Sequence, residues 1–345
     1  MKPAVDPGML QPATPPVDRL GRGLRDLRVS VIETCNYRCP YCMPEDSTPP
    51  ESALDRARRL DFAQIESVVR GFVRMGVRKV RLTGGEPLLR KDLPLLVSRL
   101  AAIPGVEDLA LTTNASLLAG KAQALRDAGL HRLTISLDAL DPEIFRQLSG
   151  GRGDVADVLA GIAAAEAAGF SSIKFNTVVQ RGVNEGEVLR LVDHFRGTPH
   201  VLRFIEFMDV GTCNGWQPQA VVSSRELHDS IHARWPLRPL QPGYRGEVAA
   251  RHAFLDGQGE VGFVSSVSEP FCGDCQRARL SADGQVFTCL FAAKGSDLRP
   301  AIELGGTAIE ARIAEIWGQR ADRYSELRDA GRRDSKKIEM FFIGG

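Results

Sequence analysis

Six of the seven cysteines of this 345-residue chain fall into two groups of three. The first group, Cys35, Cys39 and Cys42, has the spacing C-x3-C-x2-C and directly follows the strand-like run 27–32. Thiolates are soft ligands that suit iron–sulfur clusters or zinc. Three thiolates leave one iron of a 4Fe–4S cluster open, and an open iron can bind a reacting molecule. A zinc site that lacks a ligand and plain buried cysteines are the alternatives; the thiol density, without a nearby histidine, favours a catalytic cluster.

The second group consists of Cys272, Cys275 and Cys289, in which C-x2-C is followed by a third cysteine fourteen residues later. Again one ligand is missing, so a second cluster with an open iron is predicted. Zinc also accepts this spacing and stays an alternative on spacing alone. Cys213 stands apart from both groups and is interpreted as a small buried apolar residue.

Composition narrows the class of protein. A hydrophobic content of 43% and a charged content of 25% are typical of a soluble globular protein, and the net charge of +1 argues against bulk binding of nucleic acid. The sequence contains no apolar run long enough to span a membrane and no apolar segment typical of a signal peptide at its start. We therefore expect a cytoplasmic protein, in which the cysteines are reduced thiols or metal ligands.

Six strand-like runs alternate with helical patterns in the first two thirds of the chain. This alternation predicts parallel βα units, and six of them indicate an α/β fold with an incomplete (β/α)6 TIM-type barrel; a doubly wound open sheet is the alternative. A smaller C-terminal α+β region would carry the second cluster. We expect a flexible extension over residues 1–23, the partial barrel over 24–218 and the C-terminal region over 219–345. The predicted strands are 27–32, 77–83, 106–113, 131–137, 170–180 and 201–207.

Polar residues follow the predicted strands where parallel barrels place their functional groups, at the carboxyl ends. The second strand runs into Gly84-Gly85-Glu86-Pro87, and the others end in TTN, SLD, KFN and RFIEFM. Because six strands each deliver a polar group to one rim, a single site is expected there. The two glycines lack Cβ atoms, so their backbone could approach a ligand closely.

The cysteine spacing after the first strand and the GGEP segment after the second resemble the radical S-adenosylmethionine (SAM) superfamily. Within it, the second cysteine group, the Arg277-Ala278-Arg279 run and the Gly344-Gly345 end resemble the GTP 3′,8-cyclase family, of the MoaA type, over residues 24–345. The resemblance implies two 4Fe–4S clusters, SAM as cofactor and GTP as substrate. It implies SAM contacts at Tyr41, Gly85, Ser136 and Met208. It implies GTP contacts at Arg28, Arg81, Thr112, Lys174, Arg203, Arg277, Ala278 and Arg279.

The resemblance also implies a reaction. The first cluster cleaves SAM to a 5′-deoxyadenosyl radical, which removes the 3′ hydrogen of GTP. The carbon radical then adds to C8 of guanine and gives 3′,8-cyclo-7,8-dihydro-GTP, the first intermediate of molybdenum cofactor biosynthesis. The second cluster would orient the guanine. An electron donor protein, a downstream cyclic pyranopterin monophosphate synthase and a homodimer are expected from the family.

Two other functions are compatible with parts of the pattern. A peptide-modifying radical SAM enzyme with an auxiliary cluster would explain both cysteine groups, but it would not require the Arg277/Arg279 pair or the Gly-Gly end. A non-catalytic iron–sulfur sensor would not require the glycine pair or the ring of polar strand ends. The sequence also has no GxxxxGK[ST] loop, so phosphoryl transfer of the usual NTPase kind is not expected.

Overall fold

The computed structural model describes residues 15–47, 56–328 and 337–344. Six neighbouring parallel strands form the centre of the fold, and at least one helix separates each strand from the next along the chain. The strands are β1 (Asp26–Ser30), β2 (Lys79–Thr83), β3 (Asp108–Thr113), β4 (Arg132–Ser136), β5 (Lys174–Val179) and β6 (Val201–Glu206). The helices between them are α1 (Phe62–Arg74), α2 (Leu93–Ala101), α3 (Ala122–Asp127), α4 (Pro142–Leu148), α5 (Val155–Ala167) and α6 (Glu187–Phe195). The predicted α/β fold with six βα units is confirmed.

The C-terminal part of the chain extends both edges of this sheet. Its helices are α7 (Ser224–Arg234), α8 (Arg299–Leu304), α9 (Gly306–Gly318) and α10 (Met340–Ile343). Its strands are β7 (Leu237–Pro239), β8 (Ala250–Phe254), β9 (Glu260–Val264), β10 (Arg277–Leu280), β11 (Gln285–Phe287) and β12 (Ser296–Asp297). The order across the sheet is β12-β11-β10-β1-β2-β3-β4-β5-β6-β9-β8-β7.

Strand β10 pairs in parallel with β1, and β9 pairs in parallel with β6. The outer strands β11, β12, β8 and β7 are antiparallel. Within the described ranges no pairing joins β12 to β7, so the barrel is incomplete. The sequence analysis missed the two added parallel strands because they are short and pair with strands far away along the chain.

Helix α1 illustrates how local sequence sets the elements. The N-cap Asp61 accepts a hydrogen bond from the backbone N–H of Gln64 (2.8 Å), and the Gln64 side chain accepts one from the N–H of Asp61 (2.9 Å). This reciprocal pair satisfies two donors that the first turn leaves free. On the buried face, a Cβ at Gly71 would lie 2.7 Å from Ile309, so this glycine permits the close approach of α9.

One predicted helix begins later than expected. The pattern predicted a helix over 116–128, whereas α3 starts at Ala122. The Asn114 side chain accepts hydrogen bonds from the backbone N–H and the hydroxyl of Ser116, and Ala115 has a φ of +62°. These local bonds compete with helix formation and keep the chain in a loop at the end of β3.

The first described residues make buried contacts with the rest of the molecule. Asp18 and Arg22 are 5% and 2% exposed. The predicted flexible extension is therefore packed over residues 15–23, while residues 1–14 lie outside the described ranges. The divisions at residues 23 and 218 stay predictions. No helix in the described part of the chain is long and apolar enough to cross a membrane.

Candidate active site

Basic residues line the inner face of the sheet because of its register. Arg28 lies between Leu27 and Val29, whose side chains are buried in the core, so the alternation of a strand turns Arg28 to the opposite face. Arg28 is paired with Arg279 on one side and with Arg81 on the other. The same face carries Lys174, opposite Thr134, and Arg203, opposite Asn176.

These residues surround a cavity of about 320 Å³. Both cysteine groups line it. So do all predicted SAM contacts, Tyr41, Gly85, Ser136 and Met208, and the predicted GTP contacts Arg28, Arg81, Thr112, Lys174, Arg203, Arg277 and Arg279. Ala278 differs, since it is buried on the other face of β10, opposite Leu27.

The expectation that the polar residues form a rim at the carboxyl ends is wrong for the cations. Lys174 is the first residue of β5, at its amino end, and Arg28, Arg81 and Arg203 lie within their strands. The site therefore extends through the inside of the barrel. The predicted strand 170–180 ends within one residue of β5, and Lys174 lies well before that end, so the KFN segment does not belong to the rim.

The two cysteine groups lie at opposite ends of the parallel strands. The Cys35–Cys42 loop follows the carboxyl end of β1, whereas Cys275 precedes the amino end of β10, which runs in the same direction. A five-residue strand spans roughly 13 Å. The basic side chains of β1, β2 and β10 occupy the space between the two groups.

The first cysteine loop is held by backbone hydrogen bonds and is half-buried. The N–H groups of Cys42 and Met43 donate to the Cys39 carbonyl, each at 2.9 Å, and the Tyr37 N–H donates to the Cys35 sulfur at 3.4 Å. Burial raises the pKa of Cys35 to about 11 and raises the pKa values of Cys39 and Cys42 as well. A bound metal favours the thiolate form and would offset this cost.

The glycine pair brings β2 against this loop. A Cβ at Gly84 would lie 2.3 Å from the Ile32 carbonyl oxygen, and one at Gly85 would lie 2.2 Å from that of Thr34. The Gly85 and Glu86 N–H groups donate to these same two carbonyls, both at 2.8 Å. The missing Cβ atoms thus serve the contact between the two loops, which the sequence analysis had assigned only to a ligand.

Glu86 ties the end of β2 to the end of β3. Its buried carboxylate accepts hydrogen bonds from the Thr113 hydroxyl (2.7 Å) and from the backbone N–H groups of Asn114 (2.8 Å) and Leu88 (2.9 Å). Burial, only partly offset by these bonds, raises its pKa to about 7. Glu86 therefore organises the loops of the site.

Asp138 is a site residue absent from the predicted contacts. Its carboxylate accepts a hydrogen bond from the Tyr41 hydroxyl at 2.6 Å and one from the Val178 N–H at 2.8 Å. Burial raises its pKa to about 6. The pair fixes the Tyr41 ring beside the first cysteine group. The SLD end of β4 was a visible signal for it.

The cavity holds more positive charge than it neutralises internally. Burial and the neighbouring Arg203 lower the pKa of Lys174 to about 8, and burial and Arg277 lower that of Arg279 to about 10. Among the described residues, the buried Nε atoms of Arg28 and Arg203 and Oδ1 of Asn176 have no hydrogen-bond partner. Buried donors without partners are costly, so this arrangement fits a polyanionic ligand.

The second cysteine group lies on two segments. Cys272 and Cys275 precede β10, and Cys289 follows β11. Burial alone would raise the pKa of Cys275, but Arg277 and Arg320 more than offset it and bring the pKa to about 6. Burial raises the pKa of Cys289 to about 12. Arg277 also stacks its guanidinium on Phe271, 5.7 Å from the ring centre.

The C-terminal segment enters the same cavity. Arg279 Nη1 donates to the Gly344 carbonyl, and Met340 and Phe341 line the cavity. Gly344 has a φ of +68° and a Cβ there would lie 2.2 Å from Thr83 Cγ2. Gly345 lies outside the described residues. Cys213 lies between this segment and the first cysteine group, with its sulfur 2.9 Å from Glu339 Oε2 and 3.9 Å from the Cys42 carbonyl oxygen, so it is half-buried and polar in its contacts rather than a buried apolar residue.

The number of thiols in each group matches a 4Fe–4S cluster with one open iron. Nowhere in residues 15–47, 56–328 and 337–344 do three His, Cys, Asp or Glu side chains converge so that one metal ion could be held. A zinc ion needs its thiolates at about 2.3 Å from one point. A 4Fe–4S cluster binds each thiolate through a different iron and therefore needs thiols that are spread apart. Each group offers three thiols at the same cavity.

Comparison with known proteins agrees with this chemistry. The family model of the Radical SAM superfamily matches residues 29–195, and the model of Molybdenum Cofactor Synthesis C matches residues 200–326. Two solved structures share the fold: SuiB of Streptococcus suis with S-adenosylmethionine (TM-score 0.59, 15% identity, 91% of this chain and 69% of that one) and anSMEcpe with AdoMet (TM-score 0.56, 14% identity, 92% and 93%).

Curated relatives give the closer likeness. The chain is 65% identical over 333 residues to the GTP 3′,8-cyclase of Xanthomonas campestris pv. campestris, which covers 96% of this chain and 98% of the relative. It is 49% identical over 356 residues to the GTP 3′,8-cyclase of Acidothermus cellulolyticus, which covers 95% and 98%. With both family models matched in order and this identity over nearly the whole length, the chain belongs to the GTP 3′,8-cyclase family of the radical SAM superfamily.

Proposed function

We propose that this chain is a radical SAM enzyme that converts GTP to 3′,8-cyclo-7,8-dihydro-GTP, the first step of molybdenum cofactor biosynthesis. The carrying observation is one cavity that has a three-thiol group at each end and six basic side chains between them. The relatives named GTP 3′,8-cyclase support the same activity. The basic interior favours a nucleoside triphosphate over a peptide as substrate.

Cys35, Cys39 and Cys42 would hold the first 4Fe–4S cluster, beside the SAM site. When bound, this cluster supplies the electron that cleaves SAM to methionine and a 5′-deoxyadenosyl radical. SAM would be positioned by Tyr41, Gly85, Ser136 and Met208. Asp138 orients the Tyr41 ring through the hydrogen bond that it accepts from the Tyr41 hydroxyl. The burial of this end of the cavity keeps water away from the reacting atoms.

The basic residues would bind and orient GTP. Guanidinium groups match phosphate oxygens. Arg28 and Arg81 are register partners on β1 and β2, and Lys174 and Arg203 lie on the neighbouring strands β5 and β6 of the same sheet. Arg81 is itself oriented by the hydroxyls of Thr112 (3.3 Å) and Thr134 (3.2 Å). Thr112 and Ala278 complete the proposed GTP contacts, the latter through its backbone because its side chain faces the core.

Cys272, Cys275 and Cys289 would hold the second 4Fe–4S cluster, at the far end of the cavity. Its open iron would anchor the guanine, and Arg277 and Arg279 would hold the nucleotide next to it. Such anchoring holds C3′ of the ribose and C8 of the base in reacting geometry. The Gly344–Gly345 end would close the site through the Arg279 contact.

The deciding experiment is anaerobic incubation with SAM, a reductant and GTP. We expect 5′-deoxyadenosine and a cyclised nucleotide in equal amounts. The Cys39→Ser variant should form neither, whereas the matched control Ser98→Ala, on helix α2, should form both. 5′-Deoxyadenosine without a GTP-derived product would contradict the proposed substrate.

The proposal extends to the partners, the location and the domain division of this chain. We propose that an electron donor protein reduces the first cluster and that a cyclic pyranopterin monophosphate synthase consumes the product. The family further supports a homodimer, and the seven free cysteines support a cytoplasmic location. The division into 1–23, 24–218 and 219–345 is proposed on the change of pattern after β6.

A further inference from the structure

A buried ion-pair triad lies behind the second cysteine group. The Asp18 carboxylate accepts a hydrogen bond from Arg22 Nε at 2.6 Å and one from Arg320 Nη1 at 3.2 Å. The three residues are 5%, 2% and 4% exposed. Asp18 also accepts from the backbone N–H groups of Leu20 and Arg22, both at 2.9 Å, so its position is fixed by its own chain.

The two arginines reach the backbone at all three cysteines. Arg22 Nη1 donates to the carbonyl of Cys272, and Arg320 Nη1 donates to the carbonyl of Cys275, each at 2.7 Å. Arg320 Nε donates to the carbonyl of Thr288, the residue before Cys289, at 3.1 Å. Asp18 thereby joins the two arginines that contact the separate thiol-bearing segments, and Asp322 adds a carbonyl contact to Arg22 (2.9 Å) and an ion pair to Arg320 Nε (3.5 Å).

Contacts with Trp317 also hold the two arginines of the triad in place. The Trp317 indole N–H donates to the Arg22 carbonyl at 2.9 Å, and the Arg320 guanidinium lies 4.6 Å from the Trp317 ring centre. Burying three charges carries a desolvation cost that a well-packed apolar cluster would avoid. This cost is explained if the network holds the cysteine segments in a defined geometry, because the planar guanidinium group fixes the direction of its hydrogen bonds as well as their length.

We propose that Asp18, Arg22 and Arg320 are positioning residues that set the spacing of Cys272, Cys275 and Cys289 for the second cluster. The triad does not touch the reacting atoms. It acts through the backbone carbonyls of the ligand segments, so that three thiolates reach three irons without rearrangement. This assigns a role to residues 18 and 22, which precede both matched family models. The inference rests on the proposed function only in that these cysteines hold a cluster.

The test compares anaerobically reconstituted wild-type protein with the Asp18→Asn and Arg320→Lys variants. Asn removes the charge that joins the arginines at nearly unchanged volume. Lys keeps the positive charge of residue 320 but cannot reach Asp18, Cys275 and Thr288 together. Leu191→Ala is the control, because Leu191 is buried on α6, far along the chain from α9, and its loss lowers stability without touching the triad. Iron content, electron paramagnetic resonance of the reduced clusters, GTP-free SAM cleavage and melting temperature are measured for each.

We expect both triad variants to lose about half of the iron and the signal of one cluster, while the first cluster still cleaves SAM. The control should keep both clusters at a lowered melting temperature. Full iron with unchanged spectra in both triad variants would overturn the inference. Retention by Arg320→Lys alone would overturn it too, since charge and not geometry would then matter. Loss of both clusters in step with the melting temperature would make the triad a general stability element. Wild-type protein with only one cluster would instead contradict the proposed function.

Discussion

At the scale of residues, the cavity concentrates positive charge where water is scarce. Arginine stays protonated at every relevant pH, so burial and mutual repulsion of the arginines raise the free energy of the empty cavity. A bound anion lowers that free energy again. Burial and Arg81 lower the pKa of Arg203, and burial and Arg279 lower that of Arg28. A site of this kind binds a triphosphate more strongly than a neutral or singly charged molecule.

The Arg277/Arg279 pair should separate GTP binding from SAM binding. Replacing either by alanine should weaken GTP binding tenfold to a hundredfold, because a hydrogen bond to a charged group contributes about 1.5–3 kcal/mol. SAM affinity should not change, since the proposed SAM contacts lie beside the first cysteine group, at the other end of the strands from Arg277. Calorimetric titration of the reconstituted protein measures both affinities.

The matched control is Arg312→Ala, which removes an exposed arginine of α9 that pairs with Glu315. It should leave both affinities unchanged. GTP affinity equal to wild type in Arg277→Ala and Arg279→Ala would remove these residues from the GTP site.

Lys174 should make GTP binding depend on pH. In the protein without GTP, burial and the neighbouring Arg203 lower the pKa of Lys174 to about 8. A bound triphosphate favours the ammonium form and raises that pKa, so GTP binding above pH 8 takes up a proton and GTP affinity falls as the pH rises through 8.

The measurement is calorimetry at pH 8.5 in buffers of different ionisation enthalpy. Wild-type protein should show proton uptake, and Lys174→Met should show less uptake and a weaker, flatter affinity profile. Equal proton uptake in the two proteins would show that another group titrates.

At the scale of elements, loops and the C-terminal segment are joined by a few exact contacts around the cavity. Lys337 Nζ donates to the carbonyl (2.8 Å) and the carboxylate (2.7 Å) of Asp209, and Glu339 accepts from the N–H (3.0 Å) and the hydroxyl (2.7 Å) of Thr212. These bonds tie the C-terminal segment to the loop after β6, which also carries Met208. The segment is thereby guided toward Arg279.

Gly344→Ala should lower turnover with little loss of stability. The added Cβ would meet Thr83 Cγ2 at 2.2 Å, and the left-handed backbone adds a cost of about 1 kcal/mol. We expect the segment to leave Arg279 and cyclised nucleotide to fall at least tenfold, as roughly expected for a lost charge-assisted contact. Deletion of residues 344 and 345 should abolish turnover and leave the melting temperature nearly unchanged.

Gly257→Ala is the matched control, because Gly257 has a φ of +78° and a Cβ there meets nothing within 4 Å. It shares the backbone cost without the steric contact, so its turnover should equal that of wild type. Full activity of the truncated chain would show that the C-terminal end is inert.

At the scale of the whole molecule, the C-terminal region completes the sheet on both sides. β10 covers the edge of β1, and β9 covers the edge of β6. Uncovered edges of a parallel sheet are open to association. Both regions therefore contribute to one continuous sheet and to one cavity.

A fragment of residues 24–218 should consequently aggregate or fail to keep the first cluster. It retains Cys35, Cys39 and Cys42 but loses both edge strands. Size-exclusion chromatography and iron content of the fragment, with the full chain as control, measure this. A monomeric fragment with a full first cluster would establish 24–218 as a unit that folds independently.

The sequence predicts groups that are close together along the chain, whereas it does not predict contacts between distant segments. The spacing of Cys35, Cys39 and Cys42 places three donors by covalent distance alone, whereas the role of Arg277 and Arg279 was implied by the family resemblance. The contacts of Arg22 with Cys272 and of Arg320 with Asp18 join residues 250 and 302 positions apart. No local pattern predicts such pairs, because they depend on which segments the core brings together.

By itself, the sequence determined six βα units, two three-thiol groups and a set of basic strand residues, because each depends on short-range spacing and hydrophobic period. Only the tertiary structure decided that the two groups lie at opposite ends of the same strands and that the cations fill the space between them. It also decided that Gly344 reaches Arg279 and that Asp18 supports the second group. The physical reason is register: pairing β10 with β1 and β9 with β6 fixes which distant side chains share one face, and burial then fixes which polar atoms must meet.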